Sequence, residues 1–173
     1  MTEALTQEIQ KECPAFFVFL GQENYYHDEL AERLRKGEAL TLAESDYVLV
    51  EFPEHVSYAH LFQGIRRLAL AGYHPVLAHV ERYDCLRKTG LEELSAIGCL
   101  HQMNFDSLCG SWFQEDVRWC RRQVLNKRVH VLATDMHRME YRPPRIDEAW
   151  RWLEAHVSQE ELERMTYQTP LRI

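Results

Sequence analysis

The 173-residue sequence contains no C-x-x-C pair, no glycine-rich phosphate loop and no long apolar run. Each absence removes a class of function. The five cysteines (Cys13, Cys85, Cys99, Cys109, Cys120) form an odd, scattered set, so they read as reduced thiols buried as small hydrophobes, not as a disulfide framework. None has an arginine six positions on, which excludes the cysteine-based phosphatase loop. No G-x-S-x-G elbow or dinucleotide fingerprint occurs either. The opening stretch, MTEALTQEIQKEC, has no basic segment leading into an apolar one, as a signal peptide would. No other stretch approaches a transmembrane length. A net charge of −7 with no basic run lacks the footprint of a nucleic-acid binder. The expectation is a cytoplasmic chain with no nucleic-acid partner and no membrane insertion.

What is present is ordinary for a globular protein: 46% hydrophobic and 27% charged residues, with no linker or low-complexity segment. The length suits one domain, residues 1–173, with a sizeable core. Phe16–Leu20 and Tyr47–Val50 are continuous apolar runs, the pattern of strands buried on both faces. Pro75–Ala78, Cys99–Met103 and Val129–Ala133 read as further strands. Helical signals separate them. Thr2 caps a helix to Glu12 with Leu5 and Ile9 on one face, Asp28 caps one with Leu30, Ala31 and Leu34 inward, and Ser57 caps a long one ended by Gly72. Thr89-x-x-Glu92 is a capping box for a short helix ended by Gly98. Phe113, Val117, Cys120 and Val124 mark the next; Ile146, Ala149, Trp150 and Leu153 another. Ser158-x-x-Glu161 caps the last, through Met165. Strand and helix alternate, which predicts an α/β fold with a mostly parallel sheet.

A polar residue closes each apolar run. Glu23, Glu51, His79, Asn104 and Asp135 follow one another at intervals of 28, 28, 25 and 31 residues. One βα unit per interval brings all of them to the C-terminal end of the sheet, where ligands and catalytic groups collect in barrels and open sheets alike. The last run continues into Asp135-Met136-His137, a carboxylate and an imidazole at one strand end. Taken alone, Asp135 is equally well a helix cap and His137 a loop histidine. Together with Glu23, Glu51 and His79, the pair makes a set of oxygen and nitrogen donors suited to Mn²⁺, Zn²⁺ or Fe. Such a metal activates water near neutral pH, and two ions bridged by a carboxylate serve in-line displacement at phosphorus. Arg82 and Arg142 each lie a few residues beyond a proposed ligand and carry the fork that fits phosphate oxygens. Their alternative reading is a pair of salt bridges to Glu81 or Glu140.

The motifs Gly21-x-Glu23-x-Tyr25-Tyr26, Leu49-x-Glu51-Phe52, His74-Pro75-Val76-x-Ala78-His79-x-Glu81-Arg82-Tyr83, Gln102-x-Asn104 and Ala133-x-Asp135-Met136-His137, with Arg142-Pro143-Pro144 after them, resemble one family. It is the CpsB/CapC type of bacterial metal-dependent tyrosine-protein phosphatase from capsule and exopolysaccharide operons, within the polymerase-and-histidinol-phosphatase superfamily. The resemblance implies a distorted (β/α)7 barrel with a cluster of up to three metals, usually Mn²⁺. It also implies a substrate: the phosphotyrosine tail of the autokinase that controls polysaccharide assembly. By matching position, Glu23, Glu51, His79, Asp135 and His137 resemble the metal ligands, and Arg82 and Arg142 the phosphate-binding arginines.

Members of that family open with a His-x-His strand, an Asp-rich loop and a strand ending in another His, none of which is found here. The resemblance therefore implies an incomplete barrel of about five βα units, the first two, on the order of 60 residues, being missing. A full cluster is then not expected from this chain alone. Phe16–Leu20 would be left as an apolar edge favouring a homo-oligomer. Three readings follow: a phosphatase by descent with an incomplete site, a non-catalytic remnant that binds the kinase tail or a sister subunit, or a start that lies upstream of Met1.

Overall fold

The computed structural model describes residues 2–14, 16–88, 90–137 and 146–173. Five strands lie side by side in the order in which the chain makes them, each parallel to its neighbour: β1 (Glu23–Tyr25), β2 (Tyr47–Glu51), β3 (His74–Leu77), β4 (Leu100–Asn104) and β5 (Val131–Ala133). Parallel neighbours require a crossover between them, and the helices supply it. These are α2 (Leu30–Arg35), α3 (Tyr58–Leu70), α4 (Leu91–Ala96) and α5 (Glu115–Leu125), with α1 (Thr2–Glu12) before the sheet and α6 (Ile146–His156) and α7 (Gln159–Glu163) after it. A π-helical turn (Arg164–Gln168) joins α7 to α8 (Thr169–Arg172). Parallel pairing throughout is what the strand–helix alternation predicts.

The helix stripes explain the packing. In α3, Leu61, Ile65 and Leu68 are buried in the same core as Val48 and Val50 of β2. Burying each such side chain is worth about 1.5–3 kcal/mol relative to exposure. Ser57 caps α3 as expected, its hydroxyl accepting from the His60 amide at 3.3 Å. Ser158 does the same for α7. β2 alternates, with Val48 and Val50 fully buried and Tyr47, Leu49 and Glu51 only partly so. One face of β2 is thus packed and the other is half open, where burial on both faces was predicted. Glu51 stands on the half-open face.

Several local expectations are corrected. Phe16–Leu20 forms no strand, and Phe16, Phe17, Phe19 and Leu20 are exposed. Leu20 accepts one backbone bond, from the Ala43 amide at 2.8 Å, and the Gln22 side chain accepts from the Leu40 amide. Both contacts are to a loop, which offers no ladder for a strand to extend. Glu23 consequently opens β1 instead of ending the preceding run. Asp28 does not cap α2, whose N-cap is Glu29 with no side-chain bond. The Asp28 carboxylate instead accepts from Arg67 of α3 at 2.5 Å, a partner distant in sequence that outcompetes the cap. Phe113 lies before α5 and is exposed against Trp112, because the helix begins only at Glu115. Cys99, Cys109 and Cys120 are buried as expected, whereas Cys13 is exposed and Cys85 intermediate. The side chains of Thr2 and Leu5, and residues Thr89, Arg142, Pro143 and Pro144, lie outside the described residues.

Candidate metal and phosphate site

The site is built where β2, β3, β4 and β5 end. β3 stops at Leu77, and Ala78 adds one more sheet bond to the Val50 carbonyl at 3.0 Å. His79 then turns the chain with φ 31° and ψ 61°, a left-handed conformation that side chains bearing a Cβ rarely adopt. Asp135, just past β5, has φ 46°. Backbone strain at two strand ends of one rim is a feature of functional sites. The His79 turn is held by its own amide, which donates to Gln102 Oε1 at 2.6 Å, and by its carbonyl, which accepts from the Arg82 amide at 2.9 Å.

This turn buries the His79 imidazole between two carboxylates. Nε2 lies 3.0 Å from Glu23 Oε1 and 3.2 Å from Glu51 Oε1. Donor atoms of the three residues all fall within 4.8 Å of one another. One ring nitrogen carries at most one proton, yet two carboxylates face it. A cation at their centre would satisfy all three donors, and two oxygens with one imidazole nitrogen suit a divalent transition metal. His79 is 3% exposed, so its position is fixed by packing, including the Tyr83 ring at a centroid distance of 6.0 Å. Tyr83 is fully buried; its hydroxyl accepts from the Phe52 amide at 3.1 Å and so ties down the end of β2. Burial, more than the nearby Glu51 and Glu23, pushes the Tyr83 phenol well up, so it stays protonated.

A second group adjoins the first. Arg82 Nη2 donates to Asp135 Oδ2 at 2.5 Å, and Asn104 Nδ2 donates to the same oxygen at 3.2 Å. The Arg82 salt bridge is therefore to Asp135 and not to Glu81, while Glu140, the other partner named from the sequence, lies outside the described residues. His137 is half exposed; its Nδ1 lies 2.9 Å from the Asp135 carbonyl and 3.7 Å from Asp135 Oδ1. Glu81, Arg82, Asn104, Ser107, Thr134 and Asp135 are among the residues lining a cavity of about 230 Å³. A larger cleft of about 640 Å³ shares Glu81, Arg82, Asp106 and Ser107 with it. The buried Glu81 carboxyl is pushed up by desolvation; Oε1 accepts from the Asn104 amide at 3.1 Å and from Ser107 Oγ at 2.8 Å.

Of the residues expected from sequence, Glu23, Glu51 and His79 come together, and Asp135 meets Arg82 and His137 beside them. Arg142 lies outside the described residues. The histidines that follow the two glutamates stay apart, His55 on Asp84 and His27 near Arg33. Sequence reasoning gave Gln102 and Glu81 no part in the site, yet both brace it. For Gln102 a signal was present: Gln102 and Asn104 are polar at alternate positions of a strand, hence on one face.

A family model for capsular polysaccharide synthesis proteins, CpsB/CapC, matches residues 1–173. The chain is similar to the tyrosine-protein phosphatase CpsB of Streptococcus pneumoniae, 35% identical over 152 residues that cover 83% of this chain and 63% of that protein. It is similar also to the tyrosine-protein phosphatase YwqE of Bacillus subtilis, 32% identical over 162 residues, 91% of this chain and 63% of that one. Among solved structures it resembles a chain from the crystal structures of YwqE and CpsB, described there as metal-dependent tyrosine phosphatases. The TM-score is 0.80 at 29% identity, with 94% of this chain and 67% of that chain covered. The chain thus spans less than two thirds of the length of these curated relatives.

Proposed function

Because the chain belongs to the CpsB/CapC family, we propose that it is a metal-dependent protein-tyrosine phosphatase acting in capsular or extracellular polysaccharide synthesis. The observation that carries this reading is the buried His79 imidazole facing Glu23 and Glu51 at 3.0 and 3.2 Å, beside Arg82. In this reading Glu23, Glu51 and His79 hold a divalent metal, Mn²⁺ being the first choice and Zn²⁺ or Fe the alternatives. Asp135 and His137 extend the ligand set on the β5 side. Such a metal, when bound, supplies Lewis-acid activation of water and of the phosphate ester.

The chain's own residues do the rest. Arg82 borders the 230 Å³ cavity and binds the phosphoryl oxygens, with Asp135 and Asn104 fixing its approach. Arg142 is the second phosphate-binding arginine in this reading, supported by its place after the Asp-Met-His motif. The buried Tyr83 hydroxyl and the Gln102 amide keep the ends of β2 and β3 in register, so that the donors face one point. The half-open face of β2 gives an anionic ester its access.

The proposed substrate is the phosphotyrosine tail of a polysaccharide-assembly autokinase, and the proposed compartment is the cytoplasm. Among the described residues, no helix is long and apolar enough to cross a membrane. We read residues 1–173 as one domain and the sheet as part of a distorted (β/α)7 barrel. Its strand order runs 1-2-3-4-5 without the reversal of a doubly wound sheet, which supports the barrel. The exposed Phe16, Phe17, Phe19 and Leu20 beside the edge strand support a homo-oligomer.

The test is an assay of the chain with Mn²⁺ and a small aryl phosphate, alongside the Asp135→Ala variant. Metal-dependent turnover lost in the variant is expected. Equal turnover in both, or none at any metal concentration, overturns catalysis by this polypeptide.

A further inference from the structure

Two buried amides connect the carboxylate–histidine group to the arginine–aspartate group. The His79 amide donates to Gln102 Oε1 at 2.6 Å. Gln102 Nε2 donates to Asn104 Oδ1 at 2.7 Å. Asn104 Nδ2 donates to Asp135 Oδ2 at 3.2 Å. Gln102 and Asn104 are 6% and 4% exposed, so water does not compete for these bonds.

The polarity of this chain is forced at both ends. A backbone N–H can only donate, so Gln102 must turn its oxygen to His79. Its nitrogen then faces Asn104, which must offer Oδ1. That leaves Asn104 Nδ2 for Asp135, whose ionised carboxylate can only accept. Neither amide can flip without setting two donors or two acceptors against each other. The Asn104 backbone is pinned independently, since its amide donates to the buried Glu81 carboxyl at 3.1 Å. The strut therefore spans two residues held in left-handed backbone conformations, His79 and Asp135, each at φ values that side chains seldom take.

We propose that Gln102 is a positioning residue of the site: through Asn104 it sets the orientation of Asp135 and Arg82 against the Glu23–Glu51–His79 group. The proposal rests on the reading of those three residues as a metal site, and it assigns Gln102 no contact with metal or substrate. It accounts for a glutamine and an asparagine on adjacent same-face positions of β4, where apolar side chains would pack at lower desolvation cost. Gln102 controls both halves, because its oxygen serves one and its nitrogen the other.

Two substitutions separate these roles. Gln102→Met keeps the length and the apolar stem and removes both polar ends. Gln102→Glu keeps the acceptor for His79 but presents oxygen to Asn104 Oδ1. The readouts, taken on the full chain, are solvent exchange of the Asn104 side-chain amide protons by NMR without metal and Mn²⁺ affinity by calorimetry. Wild type is expected to show slow exchange at Asn104. Gln102→Met should lose that protection and bind Mn²⁺ about tenfold or more weakly, the usual effect of removing a group that orients a ligand. Gln102→Glu should also lose the protection but weaken Mn²⁺ binding clearly less than Gln102→Met, because the His79 amide keeps its acceptor and only the Asp135 side is released, a split that a general loosening of the fold would not give. Unchanged Asn104 exchange in Gln102→Met, or equal loss of Mn²⁺ affinity in both variants, overturns the strut. If wild type itself takes up no Mn²⁺, the metal reading fails, and the strut stands or falls on the exchange measurement alone.

Discussion

At the scale of single residues, the site depends on a few side chains whose geometry leaves little choice of chemistry. Arg82 is the clearest case. Its pairing with Asp135 at 2.5 Å uses Nη2. Its side chain is only about a quarter exposed and borders a cavity shared with Ser107 and Thr134. Lysine keeps the charge and three donors but not the planar fork, so the carboxylate and a phosphoryl oxygen must share one nitrogen and bidentate contact is lost. Arg82→Lys is therefore expected to weaken binding of vanadate, an inhibitor mimicking phosphate, about tenfold, roughly 1.4 kcal/mol, with little change in thermal midpoint. Vanadate titration against wild type checks this, and undiminished affinity would leave Arg82 as no more than the salt bridge that holds Asp135.

At the scale of elements, α3 and the end of β2 meet through a glycine. A Cβ at Gly64 would stand 2.7 Å from Tyr26 Cζ and 2.8 Å from Phe52 Cζ, two rings stacked at 4.6 Å. Both rings belong to chain that leads directly from a site strand, Tyr26 after β1 and Phe52 after Glu51. Gly64→Ala gains helix propensity but overpacks this contact, and overpacking is expected to win by about 1–3 kcal/mol. Urea unfolding of the variant measures it; a variant as stable as wild type would show that the rings can shift at no cost. The same contact shows what a sequence can and cannot reveal. Ser57, the stripe of Leu61, Ile65 and Leu68, and the polar strand ends were legible, because caps and periodicity act over a few residues. Phe16–Leu20 was misread because an apolar run becomes a strand only beside a partner, and its neighbour here is the loop around Leu40 and Ala43. Asp28 was misread because Arg67, 39 positions away, draws its carboxylate from the helix end. Glu23, Glu51 and His79 could be named from strand ends alone; for Gln102 the alternation with Asn104 marks the face it stands on but not what it does. Its role lies in which atom faces which, and no pattern of residue types encodes that.

At the scale of the whole molecule, stability carries a pH dependence that originates in two histidines outside the proposed metal site. His101 and His130 pack edge to face at 4.9 Å where β4 meets the start of β5. His101 Nδ1 donates to the Arg128 carbonyl at 2.7 Å, and His130 Nδ1 accepts from the His101 amide at 3.0 Å, a bond that needs the His130 ring neutral. Desolvation lowers both to about 4; His130 repels His101 further, and Arg164 acts against His130 while Glu161 opposes it. Each histidine thus binds its proton less tightly when folded than in the unfolded chain, where the ordinary value is about 6.5. Between these limits the unfolded chain holds more protons, so stability is full above about pH 6.5 and falls as pH drops towards 4. For His101, the more buried ring, the loss by pH 5 is on the order of 2 kcal/mol. Glu81 acts in the opposite sense, since its raised carboxyl disfavours folding as pH rises. Glu161, held down by Arg164, loses its contribution only below the ordinary carboxylate range. A comparison between variants separates these effects. Unfolding free energies at pH 7 and pH 5 should differ less in His101→Phe than in wild type, because the ring shape remains while one titrating group is gone. Equal pH dependence in the two proteins would mean that the His101 ring takes up its proton in the folded chain as readily as in the unfolded one.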